Sequence, residues 1–160
     1  MKNLKSFLFN LTTALLGIFT LIFLSQGYVK YSLGGFTSYT NGYDLLEFDT
    51  GVEKLNMTAI SLLIVIILVS IILLISIINI LKDFNAFKTS KNFGKIMTII
   101  ELVLTGIVLA FSIVGICCLA SFLSELGSVY SIGWAFIINL IISVALFAVS
   151  IFKILTIKKK

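Results

Sequence analysis

An uncharged run of 27 residues, Leu55 to Leu81 (LNMTAISLLIVIILVSIILLISIINIL), ends only at Lys82 and Asp83. A helix rises about 1.5 Å per residue and a bilayer's hydrocarbon core takes about 20 apolar residues, so this run is long enough to span it. Isoleucine and leucine occupy every face with no polar stripe, which leaves no side for a helix lying on a membrane surface. Whatever else the chain does is arranged around a membrane span.

Three further stretches can join it. Phe7 to Leu24, behind Lys2 and Lys5, has the outline of a secretory signal peptide, with Ser25-Gln26-Gly27 as a weak cleavage site. Its apolar part is longer than the usual signal core, so it is expected to stay as a first span. A third stretch runs from about Ile96 to about Ser124, and a fourth from about Ile132 to Ile151 or Phe152. Trp134 stands where a membrane interface favours an aromatic ring. The expected fold is an all-α integral membrane protein of one domain, residues 1–160. It is a four-transmembrane-helix bundle with spans near 7–26, 57–81, 96–124 and 132–152. An outer loop covers 27–56, and a cytoplasmic loop covers 82–95.

The outer loop is rich in aromatic residues and carries two turn signals, Gly34-Gly35 and Asn41-Gly42. Asn-Gly suits a type I′ turn, which predicts a hairpin of Phe36–Thr40 against Tyr43–Phe48. Tyr39, Tyr43, Asp44 and Phe48 are the candidate recognition residues of this loop. Its acids Asp44, Glu47, Asp49 and Glu53 lack the spacing of a calcium-binding loop and read as a solvated face.

The net charge of +5 does not point to nucleic acid. Ten of the twelve lysines flank the spans: Lys2 and Lys5; Lys82, Lys88, Lys91 and Lys95; Lys153 and Lys158 to Lys160. No stretch interleaves basic residues with a stacking platform of aromatics. These lysines orient the chain with both termini cytoplasmic, because only Lys30 and Lys54 then fall outside, among five acids. Phe84, Phe87 and Phe93 are expected to dip into the interface beside an anionic inner leaflet. The bilayer is thus one partner, and another membrane protein or copies of this chain are the others; no nucleic acid is expected. The lysine, isoleucine and asparagine bias without arginine suggests an AT-rich, bacterial genome.

The chain has no histidine, no Gly-rich phosphate cradle and no metal-ligand spacing, so catalysis is not expected and no cofactor is implied. Glu101 is the one acid inside a span. An intramembrane carboxylate marks an ion or partner contact or is paired with a lysine near the helix ends, here Lys82, Lys95 or Lys153. Adjacent Cys117 and Cys118 point about 100° apart on a helix and cannot bridge without distortion, so they read as packing residues. Quinone-linked disulfide oxidases share the span count but use exposed cysteine pairs that this chain lacks. Gly106, Ala110, Ser112 and Gly115 suggest a close helix contact on the third span. Asn139, Ser143, Leu146 and Ser150 share one face of the fourth, where Asn139 should hydrogen-bond across to another helix.

Four spans, inner termini, a long strand-like first outer loop and a short second one resemble the layout of claudin-type tetraspan proteins. Residues 28–56 contain neither the tryptophan nor the cysteines of that family's loop, so no residue role is carried over. The expected function is that of a small non-enzymatic accessory or protective (immunity-like) subunit of the plasma membrane, acting through contact. The alternative is a homo-oligomeric channel or transporter component, and a membrane enzyme ranks last.

Overall fold

The computed structural model describes residues 4–46, 52–84, 86 and 92–158. Four helices, α1 (Leu4–Phe23), α2 (Glu53–Asp83), α3 (Phe93–Glu125) and α4 (Trp134–Lys158), carry three short strands between them. All four are long and apolar enough to cross a membrane, which makes this a multi-pass membrane architecture. Each helix packs on its chain neighbour, and α4 closes back onto α1. Both chain ends therefore lie at one end of the bundle and the strands at the other.

At about 1.5 Å per residue, α2 (31 residues) and α3 (33 residues) extend beyond a hydrocarbon core about 30 Å thick, whereas α1 (20 residues) just spans it. The strands pack against α3 and α4. Strands β1 (Gly27–Leu33), β2 (Phe36–Asn41) and β3 (Tyr130–Ile132) form an antiparallel sheet in the order β2-β1-β3. The central strand comes from the α1–α2 connection, and one edge is supplied by the α3–α4 connection.

A hairpin is present, in a different register from the one read off the sequence. Its turn is Gly34-Gly35, with φ of 57° and 86°, and Leu33 pairs with Phe36. A two-residue type I′ turn needs positive φ at both central positions, which two glycines supply without a Cβ penalty. Asn41-Gly42 does other work. The Asn41 Oδ1 accepts the Asp44 backbone N–H at 2.9 Å and starts a 3₁₀ turn, Asp44–Leu46. Gly42 donates its N–H to the Leu24 carbonyl at 2.7 Å. A Cβ there would stand 3.0 Å from that oxygen and 3.1 Å from the Tyr28 ring. The segment taken as a second strand is thus a helical turn, and Glu47, Phe48 and Asp49 lie outside the described residues, as do Phe87, Lys88 and Lys91.

The α2 run also differs from its reading as evenly apolar. Its buried polar residues Thr58, Ser61, Ser76 and Asn79 share a face with buried Val65, Val69 and Ile72. Thr58 and Ser76 are 18 residues apart, five turns at about 3.6 residues each, and so are Ser61 and Asn79. A narrow polar stripe faces inward, diluted along the sequence by lipid-facing isoleucine and leucine. On α3 the packed seam runs through Thr105, Val108, Ser112 and Gly115, while Ala110 faces outward.

The sheet is pinned to α4 at Gly133, whose N–H donates to the Tyr28 carbonyl at 2.7 Å. A Cβ on Gly133 would run into the backbone of Gly27 and Tyr28, which side-chain rearrangement cannot relieve. Gly133→Ala is therefore expected to cost about 2 kcal/mol or more, read as a lower melting temperature in detergent. Gly34→Asn, in open space and at a position that tolerates positive φ, should leave the melting temperature unchanged.

Candidate functional site

Polar side chains inside a bilayer are costly unless they find partners, so their positions single out the residues worth examining. Toward the end that holds the termini, each helix contributes two buried polar residues three positions apart. They are Asn10 and Thr13, Ser76 and Asn79, Thr98 and Glu101, and Ser150 and Lys153. At their centre Lys153 Nζ meets Glu101 Oε2 at 2.5 Å, with the carboxylate fully buried and the lysine nearly so. The Thr13 hydroxyl donates to the other carboxylate oxygen at 3.2 Å. Glu101 thus joins three helices.

Among the three lysines considered for Glu101, Lys153 is its partner. Lys82 instead lies 5.5 Å from the Phe93 ring centre. Lys153 was read as a charge flanking the fourth span and as one of three possible partners of Glu101. Its three-residue step from Ser150 continues the face of Asn139, Ser143 and Leu146, and that spacing could have placed it inside. The neighbouring polar groups are incompletely paired. Asn10 donates to Asp83 Oδ2 at 3.1 Å, but Asn10 Oδ1, Ser76 Oγ, Asn79 Nδ2 and Ser150 Oγ have no hydrogen-bond partner among the described residues.

A second polar layer lies toward the sheet. Asn139 donates through Nδ2 to the Thr20 carbonyl at 3.3 Å and to the Tyr28 hydroxyl. Ser143 donates to the Asn139 carbonyl at 2.9 Å, which makes Ser112 the donor in its 2.9 Å contact with Ser143. Tyr28 stacks on Phe136 with ring centres 4.7 Å apart. Burial pushes its ionisation above the ordinary tyrosine range, against the opposing effect of the Asn139 hydrogen bond. A cavity of about 10 Å³ adjoins Asn139, Ser112 and Ser143, roughly the room of one water. Tyr28 was not among the sequence candidates, because nothing in an aromatic loop distinguishes the one tyrosine that turns inward.

Between the layers, Val69, Ile72, Val108 and Leu146 are fully buried, and the one polar side chain fully buried on α3 there, Thr105, donates its hydroxyl to the Leu102 carbonyl of its own helix at 3.0 Å. Seven residues separate Ser143 from Ser150, so this apolar plug is about 10 Å thick. Among the described residues, no three metal-ligating side chains come together. Cys117 faces outward and Cys118 is half-buried.

The sheet presents a different surface. Phe36 is 81% exposed and Leu33 56%, side by side at the hairpin tip. Tyr39 and Tyr43 are each about half exposed, and the Tyr43 hydroxyl donates to the Leu21 carbonyl at 3.3 Å. Asp44 is exposed beside them. Trp134 sits edge-to-face on Phe23 at 5.8 Å.

Lys153→Met or Glu101→Gln alone strands one buried charge and is expected to cost about 3–5 kcal/mol. The double variant Glu101→Leu/Lys153→Met should recover most of that loss in detergent unfolding. Tyr28→Phe removes one of the two acceptors of the Asn139 amide and should cost about 1–3 kcal/mol. In the wild type the unfolded chain releases the Tyr28 proton near pH 10 and the folded chain retains it, so stability should decline as pH rises above about 10. Tyr28→Phe should flatten that decline. The chain matches no protein-family model, no curated protein and no solved structure.

Proposed function

We propose that this protein is a non-enzymatic component of a plasma membrane that acts by contact with another membrane protein through its sheet. The observation that carries the reading is the hairpin tip. Two large apolar side chains, Phe36 at 81% and Leu33 at 56% exposure, project from a turn whose geometry two glycines fix. Apolar side chains grouped on a rigid frame are the usual core of a recognition surface. Tyr39, Tyr43 and Asp44 lie further along the ribbon, toward its base, and are exposed there with groups that can both pack and hydrogen-bond.

The orientation belongs to the same proposal. Lys5, Lys82, Lys95 and Lys153 stand at or near the end with the termini, and Lys30 and Lys54 at the sheet end with Asp44, Glu53 and Glu125. Lysine excess on one side favours that side as cytoplasmic. The sheet then faces outward, where an accessory or protective subunit would meet its partner.

A second reading, a homo-oligomeric channel or transporter component, draws on the buried Glu101–Lys153 layer. The apolar plug argues against an open conduction path along the axis of one copy. Native mass determination after gentle extraction separates the two readings. A stoichiometric complex with a second polypeptide is expected, and Phe36→Ser with Leu33→Ser should reduce its recovery about tenfold or more without lowering the melting temperature. A closed ring of identical chains, unaffected by those substitutions, would overturn the contact reading in favour of the channel.

A further inference from the structure

We propose that Glu101 and the oxygens around it form a binding site for a small monovalent cation, which enters from the end with the termini and displaces the Lys153 ammonium. The inference is independent of the role proposed for the sheet.

The lysine is a tethered cation on the Glu101 carboxylate, in a layer to which all four helices contribute buried polar side chains. Its one hydrogen bond is to Glu101 Oε2, although an ammonium has three donors. The oxygens nearest by helical register are unused. Asn10 Oδ1 lies one turn from Thr13, which itself bonds Glu101, and Ser150 Oγ lies one turn from Lys153. Ser76 Oγ adds a third from α2. Asn10 is 1% exposed, and Ser76 and Ser150 are fully buried. Such oxygens pay a desolvation cost with no return in the state described here. A carboxylate with neutral side-chain oxygens is the donor set that replaces the hydration shell of a hard monovalent cation.

The surroundings supply a way in and a way out. Asp83, half-buried at the end of α2 and held by Asn10, has no cationic partner among the described residues. It places a carboxylate between solvent and Asn10. Lys153 lies five residues before the end of α4, about 8 Å along the helix, a distance over which a lysine stem can carry its charge toward the interface. The apolar plug of Val69, Ile72, Val108 and Leu146 closes the opposite direction. One cation thus replaces another on Glu101, and the charge balance of the bundle interior is kept.

The test follows Lys153 itself. Purified full-length protein in detergent is treated with an amine-acylating reagent in choline, sodium or potassium chloride at one ionic strength, and modification at Lys153 is measured by mass spectrometry. Several-fold faster labelling in sodium or potassium than in choline is expected, and the more effective ion is the one that the site takes. The double variant Ser76→Ala/Ser150→Ala should keep the slow labelling in choline and lose the response to sodium and potassium. Equal labelling in all three salts would overturn the proposal. In Lys153→Met the site lacks its tethered occupant, so sodium or potassium should raise the melting temperature above that in choline, and no cation-specific rise would again count against it. If that variant does not fold, labelling of the wild type decides alone.

Discussion

Water solvates polar side chains at no cost to the fold, and lipid does not. That difference governs how this bundle is built. Most of the Thr, Ser and Asn side chains within the spans, together with Glu101 and Lys153, are turned toward the axis, while the outward faces are largely isoleucine, leucine and valine. In lipid the apolar residues give helices little reason to prefer one another over the bilayer, so close packing and shared polar contacts must choose the partners. Glu101 is decisive because it cannot be satisfied by its own helix. Its contacts to Thr13 and Lys153 draw α1, α3 and α4 into one arrangement.

The second polar layer solves the same problem with neutral groups and adds the sheet to the solution. Tyr28 leaves β1, passes over Phe136 and ends at Asn139, so the position of the strands is fixed from inside the bundle. The apolar cluster around Leu24, Val29, Leu62, Leu119 and Leu123 then fills the junction. An exposed hairpin on a membrane protein gains its rigidity this way, since a two-stranded ribbon alone is marginally stable in water.

How much of this the sequence discloses depends on the range of the interaction. Four spans are legible because crossing a bilayer is a local property of about 20 residues. The inward faces of α3 and α4 are partly legible, since Glu101 and Asn139 stand out against apolar neighbours. The α2 stripe is hidden because its polar members are weak and separated by up to four turns. The turn was misplaced for a local reason. Asn-Gly and Gly-Gly both permit positive φ, and the choice between them was made by Tyr28 and Leu24, which need Gly42 for close approach. Which of the three lysines pairs with Glu101, and that Tyr28 turns inward, became visible only once distant helices were brought together.

The third strand carries a consequence for the order of assembly. Val29 pairs with Ile132 and Tyr31 with Tyr130, partners about a hundred residues apart in the chain. Synthesis delivers β1 and β2 long before β3, so the hairpin first exists with one side of β1 open. Long-range pairings of this kind form late, because they wait for the intervening chain. Here the intervening chain is two whole spans, and β3 can reach its place only when α2 and α3 are threaded in the correct sense. Completion of the sheet therefore reports on the topology of the whole molecule, and a chain with an inverted or missing span would keep an unsatisfied strand edge on display.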